Sequence, residues 1–339
     1  MRRNWTVLWQ PDETALTAWI QRLPGHAVRR GPVALIGDAG PIETVDAKAV
    51  GIFDGVVFNH RQVAQPLIGR GAPIADDASL VLHAVGWSGQ QGLGALRWHG
   101  TLAVLHQAQR TAIVARDWQG VGGLYWAPLG LGQLFANNAE SLRVLGLTPR
   151  LVPPGMAAIC GPAGVQWQPL ATQQDGRAWF RALPDELDAP TPEIWQAGLA
   201  RRLAEAVAAC QREMPLLLRT QPLDRAGVWL TAHVPLAPAA QPDALWSLDG
   251  ADAWLGLTDV QPLEPQPGPW PLPEPPEPLR VDDREVQARR VRATWLADVA
   301  LERARSQAAA LELPLVVPHL DPAILAWLGA MPPALRPLA

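Results

Sequence analysis

The side chains that could do chemistry in this chain are few and scattered. Its two cysteines, Cys160 and Cys210, lie far apart and match no metal-ligand spacing. The histidines His26, His60, His83, His99, His106, His233 and His319 show no ligand spacing with cysteines or carboxylates. They read as surface or satisfied core residues. Ser79, Ser88, Ser141, Ser247 and Ser306 stand in no nucleophile-elbow context. No metal centre and no self-evident nucleophile is predicted, so any site must come from longer stretches of text.

Composition bounds the rest. At 339 residues the chain is long enough for about two domains. With 48% hydrophobic and 18% charged residues it can bury a sizeable core. A net charge of -4 gives no basic excess, which argues against nucleic-acid and anionic-membrane partners. No run approaches the roughly 20 apolar residues of a membrane span. The opening MRRNWTVLWQ is basic but lacks a signal peptide's apolar stretch. The expected location is the cytoplasm. The cysteines are accordingly read as two lone thiols, with one disulfide as the alternative. There are 16 Trp but one Tyr, and every basic residue but Lys48 is Arg. A GC-rich coding sequence explains this, and an aromatic interface is the functional alternative.

The elements that would position a site follow from pattern. Short strands are predicted at Thr6–Trp9, Val33–Ile36, Val50–Phe53, Val56–Asn59, Leu102–Gln107, Thr111–Asp117, Gly123–Pro128 and Gln133–Ala136, bounded by Gly, Pro, Asn and Asp. Helices are predicted at Glu13–Gln21 and Ala78–Gly86. More strand-like text runs to about Leu170. Leu183–Pro192 reads as a linker. A helix is expected over Glu193–Glu213 with an apolar side of Ile194, Ala197, Leu199, Leu203, Ala206, Val207 and Cys210. Gly227–Ala232 is a strand candidate. Val260–Leu279 is Pro-rich and predicts an extended connection, or alternatively a docking segment. A long helix over Arg284–Leu311 and a short one over Pro322–Gly329 close the chain.

Several stretches carry a resemblance. Asp54–Val63 (DGVVFNHRQV), Asp76–Ala84 (DDASLVLHA), Gly100–Leu105 (GTLAVL), Ala115–Trp126 (ARDWQGVGGLYW) and Leu134–Asn137 (LFAN) occur in that order. Arg30-Gly31-Pro32 precedes them. Together they resemble the class II glutamine amidotransferase domain of asparagine synthetases. Pro318–Asp321 (PHLD) with Leu325–Arg336 (LAWLGAMPPALR) resembles the end of the synthetase domain of the same family. The resemblance implies an N-terminal-nucleophile αββα sandwich over 1–182. A reduced α/β synthetase-like domain would follow over 183–339, with a Pro-rich insert at 260–280.

It also implies chemistry that the residues do not support. In that family the cysteine after the initiator Met attacks the glutamine amide, with the free α-amine as base. Here Arg2 stands in that place. Processing to expose Thr6 has no supporting signal. The family's oxyanion-hole Asn-Gly pair is Asp54-Gly55, and an ionised Asp54 would oppose a developing oxyanion. The family's substrate-binding glutamate is Val56, and its carboxylate-clamping arginine has no counterpart. Asp77 stands at the position of a substrate-binding aspartate, although a helix N-cap is the preferred reading. Asp54, Gly55, Asn59 and Asp77 thus mark a vestigial amide pocket. The synthetase's SGGxDS phosphate loop would follow the strand Gly227–Leu230, where the text is Thr231-Ala232-His233-Val234-Pro235, without glycine.

The expectation is therefore a degenerate asparagine-synthetase homologue with no catalytic residue, cofactor or metal. It would act as a scaffold or regulatory subunit with a protein partner: an active homologue, a modifying enzyme or a precursor peptide. Homo-oligomerisation is left open, and the Trp-rich surface is the expected interface. One alternative is a repurposed ATP-dependent amide-forming enzyme or amidotransferase using Asp54, Asp77, Arg116 or Asp117. Another is an amino-acid binder using the vacated pocket.

Overall fold

The structure, a computed structural model, describes residues 4–38, 42–43, 48–106, 108–170, 191–213, 216–219 and 244–247, and, further on, 301, 303–308, 310–311, 313–321, 323–324 and 327. The chain divides after Gln173 into two compact units.

The first unit is built from hairpins. Strand β1 (Trp5–Trp9) leads through helix α1 (Glu13–Ile20) to the hairpin β2 (His26–Arg30) and β3 (Val33–Gly37). Asp12 caps α1 by accepting from the amides of Thr14 and Ala15 at 2.8 and 3.0 Å. After β4 (Ile42–Glu43) and β5 (Ala49–Val57) come helices α2 (His60–Ile68), α3 (Asp77–Ser88) and α4 (Gln90–Gly94). Strands β6 (Trp98–His106), β7 (Thr111–Arg116), β8 (Tyr125–Leu129) and β9 (Gly132–Ala136) follow. Helix α5 (Glu140–Arg143) and strands β10 (Arg150–Leu151), β11 (Met156–Gly161) and β12 (Gly164–Pro169) complete the unit.

These strands form two six-stranded antiparallel sheets, in the orders β10-β8-β9-β1-β3-β2 and β12-β11-β7-β6-β5-β4. Alternation along each strand builds the layers. Val7 and Leu35 turn toward Val50, Ile52, Ala103 and Val114 of the other sheet. Their neighbours Leu8 and Ile36 pack instead with Leu16 of α1 and Leu142 of α5. On the far side Phe53, Leu102, Val104 and Ile113 pack with Leu80, Val81 and Val85 of α3. The result is an α-β-β-α arrangement of antiparallel sheets.

Several expectations shift in detail. The two candidates Val50–Phe53 and Val56–Asn59 are one strand, β5, and Phe58–Asn59 is the turn after it. The join lies at Gly55, which faces Gly100 of β6. A Cβ on Gly55 would stand 1.9 Å from the carbonyl oxygen of His99, and one on Gly100 would stand 2.1 Å from that of Asp54. Two strands therefore touch backbone to backbone where a chain with side chains would separate. Strand β2 was not anticipated, because HAVRR is an edge strand and carries little apolar alternation. Helix α2 was not anticipated either.

The described tryptophans are largely interior. Trp5, Trp98, Trp126, Trp246 and Trp327 are buried, and among the described residues no tryptophan is exposed. Trp167 of the edge strand β12 packs edge-on against Trp126, with ring centroids 5.8 Å apart. The rings of Trp5, Trp98 and Trp126 fill the sandwich, where their large apolar area is worth most. Trp179, Trp195, Trp229, Trp254, Trp270 and Trp295 lie outside the residues whose side chains are described.

The second unit, in its described parts, is α/β. Helix α6 (Pro192–Glu213) buries Leu199, Leu203, Ala206, Val207 and Cys210 of the predicted side, but Ile194 and Ala197 in its first two turns are exposed, which corrects that end of the stripe. Strands β13 (Leu216–Arg219), β14 (Ala244–Ser247) and β15 (Leu315–Val316) form a parallel sheet. None of the three is among the predicted strands. Arg202 of α6 lies over the Trp327 ring at 3.8 Å. The strand candidate Gly227–Ala232, the linker Leu183–Pro192 up to residue 190, the Pro-rich segment and helix 284–311 before residue 301 lie outside the described residues.

The Gly55 contact makes a direct prediction. Gly55→Ala should lower unfolding stability by about 3 kcal/mol or more, the upper range for overpacking, as measured by urea denaturation.

Candidate functional site

The sequence places its candidates at one end of the sandwich, around the C-terminal half of β5. Asp54 is half-buried there, in register with Thr101 of β6. Its Oδ2 accepts from the Asn137 side-chain amide at 3.1 Å. Asn137 is buried just beyond β9, and its Oδ1 accepts from the Trp5 backbone N–H at 3.0 Å. Asn138 donates to Asn4 Oδ1 at 3.2 Å. A carboxylate and three amide side chains thus close over the head of β1.

Gly55 is a packing residue, as its contact with His99 shows. Val56 is buried. Asn59 donates to the Ala95 carbonyl at 2.9 Å and accepts from the Arg97 N–H at 2.8 Å. It staples the turn after β5 to the entry of β6.

Asp77 departs from its preferred reading. The N-cap of α3 is Asp76, in a capping box with Ser79. Asp77 sits in the first turn, where the helix dipole favours a carboxylate, and is buried. Its Oδ2 accepts from the Val57 N–H at 2.8 Å, and its Oδ1 lies 2.6 Å from His60 Nδ1. His60 was read only as one of seven isolated histidines. It is 17 residues away in sequence, and a separation set by an intervening helix carries no periodic signal. Asn137 was likewise quoted only as the end of LFAN.

Arg116 and Asp117 are fully buried. The guanidinium donates to the carbonyls of Gly122, Val152 and Gly120 at 2.7, 2.6 and 2.7 Å. The carboxylate accepts from the amides of Gly100, Gln119, Val121 and Gly122 at 2.8 to 3.1 Å. Burial raises the Asp117 carboxyl above its usual range, while these amides and Arg116 pull it down. Neither residue reaches solvent. Both serve the turn between β7 and β8, which corrects their candidacy as catalytic groups.

Cys160 is also fully buried, and burial pushes its thiol far above the ordinary range, so it is not a thiolate nucleophile. His106 is held below its ordinary value by burial. Among the described residues no group of His, Cys, Asp and Glu is arranged to hold a metal, and no helix is long and apolar enough to cross a membrane. The vestigial phosphate-loop residues Thr231, Ala232 and His233, and Arg2 at the expected nucleophile position, lie outside the described residues. His319 is buried and accepts from Trp246 Nε1 at 3.3 Å. Asp321 caps the turn that follows it through Ala323 N–H at 3.0 Å.

Residues 11–162 match the family model of a glutamine amidotransferase domain. This segment is similar to glutamine amidotransferase domains. Among solved structures, the chain is similar to glutamine phosphoribosylpyrophosphate amidotransferase from B. subtilis complexed with ADP and GMP. That match has 15% identity and a TM-score of 0.39, over 63% of this chain and 60% of that one. It is similar to the allosteric regulatory enzyme of purine biosynthesis at 15% identity and a TM-score of 0.41, over 69% of this chain and 64% of that one. It is also similar to a glutamine aminotransferase class-II domain protein from Silicibacter pomeroyi at 14% identity and a TM-score of 0.29, over 49% of this chain and 91% of that one. The chain thus spans less than two thirds of the length of the first two. No curated protein sequence matches it.

The buried turn of the amidotransferase-like domain yields a second prediction. Arg116→Met leaves three backbone carbonyls without their donor and should cost about 3–5 kcal/mol, the range for breaking a buried charged group's partners, as read by thermal or urea unfolding.

Proposed function

We propose that this chain is a degenerate, asparagine-synthetase-type protein that acts without catalysis, as a cytoplasmic scaffold or regulatory partner subunit. The amidotransferase-like domain would occupy 1–182 and a reduced synthetase-like domain 183–339. The parallel sheet β13-β14-β15 supports the α/β character of the latter. A pathway that modifies peptides or natural products is the setting that suits the resemblance.

One observation carries the non-catalytic part of this reading. The head of β1 is where an N-terminal-nucleophile fold would present its nucleophile, and the groups meeting there are the Asp54 carboxylate and its partner Asn137, itself bonded to the Trp5 amide. Amide hydrolysis builds negative charge on the substrate oxygen, and a fixed carboxylate raises the energy of that state where an amide donor would lower it. Both cysteines in the chain are buried. The text Thr231-Ala232-His233-Val234-Pro235 also offers no glycine for a phosphate-cradling turn.

Two assays test the reading. Ammonia release from L-glutamine and ATP–pyrophosphate exchange should both stay at background with the full chain. Turnover in either assay that disappears in Asp77→Ala would overturn the proposal.

A further inference from the structure

A sheet edge is a template for another strand, so folded chains guard their edges with charge, proline, brevity or cover. Among the described residues, such guards stand at three of the sandwich's four edges. In the first sheet, β10 is two residues long and carries Arg150, and Pro128 sits on the part of β8 that β10 leaves uncovered. At the other side β2 carries Arg29 and Arg30, and the Arg30 guanidinium takes the Arg29 carbonyl at 2.8 Å. In the second sheet β4 is two residues long, and beyond it β5 carries Asp54 while Asp77 takes the Val57 N–H. The fourth edge differs. Strand β12 runs for six residues, GVQWQP, without a charge. The two-residue turn Pro162-Ala163 makes Gly161 and Gly164 a hydrogen-bonded pair. By alternation Gln166 and Gln168 bond to β11, and Val165 turns its N–H and C=O outward. Pro169 shares that outward alternation, so it costs β11 no bond and only ends the edge. The Trp167 ring is engaged with Trp126 and Phe135, which anchors the strand on the sandwich, and Gln166 is exposed.

Charge decides the occupant. A charged strand laid on this edge would lose hydration and meet no opposite charge in return. The other edges of the sandwich carry charge or are two residues long, so the described edge strand that matches β12 is β12 itself. We propose that β12 is a homodimer interface. Two copies pair their β12 strands antiparallel about a two-fold axis, with Gln166 facing Gln166 of the second copy. Gln168 then faces Gly164 of the second copy, and the two six-stranded sheets become one continuous sheet. Such a pairing uses the same patch on both copies and closes on itself, so it stops at a dimer. Six residues a side fall below the about 1,200 Å² of a standard interface, so the dimer is reversible and of micromolar strength. The proposal does not rest on the non-catalytic reading.

Sedimentation of the full chain at concentrations up to about 200 μM tests this, with wild type, Gln166→Lys and Gln166→Glu. Wild type should pass from monomer to dimer and no further. Each variant alone sets like charges face to face and should dimerise at least about tenfold more weakly. An equimolar mixture of the two sets opposite charges face to face and should dimerise at least as tightly as wild type. A wild type that stays monomeric or grows past a dimer overturns the proposal. So does either variant dimerising as tightly as wild type, or a mixture no tighter than the separate variants. Should a variant fail to fold, amide hydrogen exchange of wild type at low and high concentration reads the same edge. Slowed exchange of the Val165 N–H at high concentration is expected, and an unchanged rate overturns the proposal.

Discussion

Arg116 and Asp117 point their charges in opposite directions into backbone. The guanidinium gathers three carbonyls from 120, 122 and 152, and the carboxylate gathers four amides from 100, 119, 121 and 122. The Asp117 backbone adds bonds to the Gly100 carbonyl and the Gly155 amide at 3.1 and 2.9 Å. A turn buried between strands cannot leave these groups to water, so their pairing is a condition of the fold. This turn connects β7, in one sheet, to β8, in the other. It therefore fixes how the two sheets are joined, and the sandwich, its core and the position of β5 all follow.

The same economy governs the end of the sandwich where chemistry would be expected. Asn59 closes a turn, Asn137 ties Asp54 to the first strand, and Asp77 receives Val57 and His60. Each polar group there has a partner inside the chain. Among the described residues, these side chains tie the turn after β5, the head of β1 and the start of α3 to their neighbours.

Most of the strands were legible in the sequence as short apolar runs bounded by Gly, Pro, Asn and Asp, and their assembly into a sandwich was legible only through the resemblance carried by DGVVFNHRQV and ARDWQGVGGLYW. Val7 and Leu8, like Leu35 and Ile36, read as unbroken apolar pairs because both faces of their sheet are covered, one by the other sheet and one by α1 and α5. The helix stripe from Leu199 to Cys210 was equally plain. What escaped was set by tertiary contact. The edge strand His26–Arg30 has no buried face to impose a pattern. Gly55 looked like a strand break, yet it marks the closest approach of two strands. Asp76 and Asp77 are adjacent carboxylates that only the helix entry can tell apart. His60 gains its meaning from a residue on another helix.

The central claim is that the chain works through a protein companion and not through turnover. Affinity capture of the full chain at native abundance from its own host, with the stoichiometry of co-purifying proteins quantified, tests it most directly. The account predicts one companion recovered at a fixed, near-stoichiometric ratio. Recovery of the chain with no protein at a fixed ratio would contradict it.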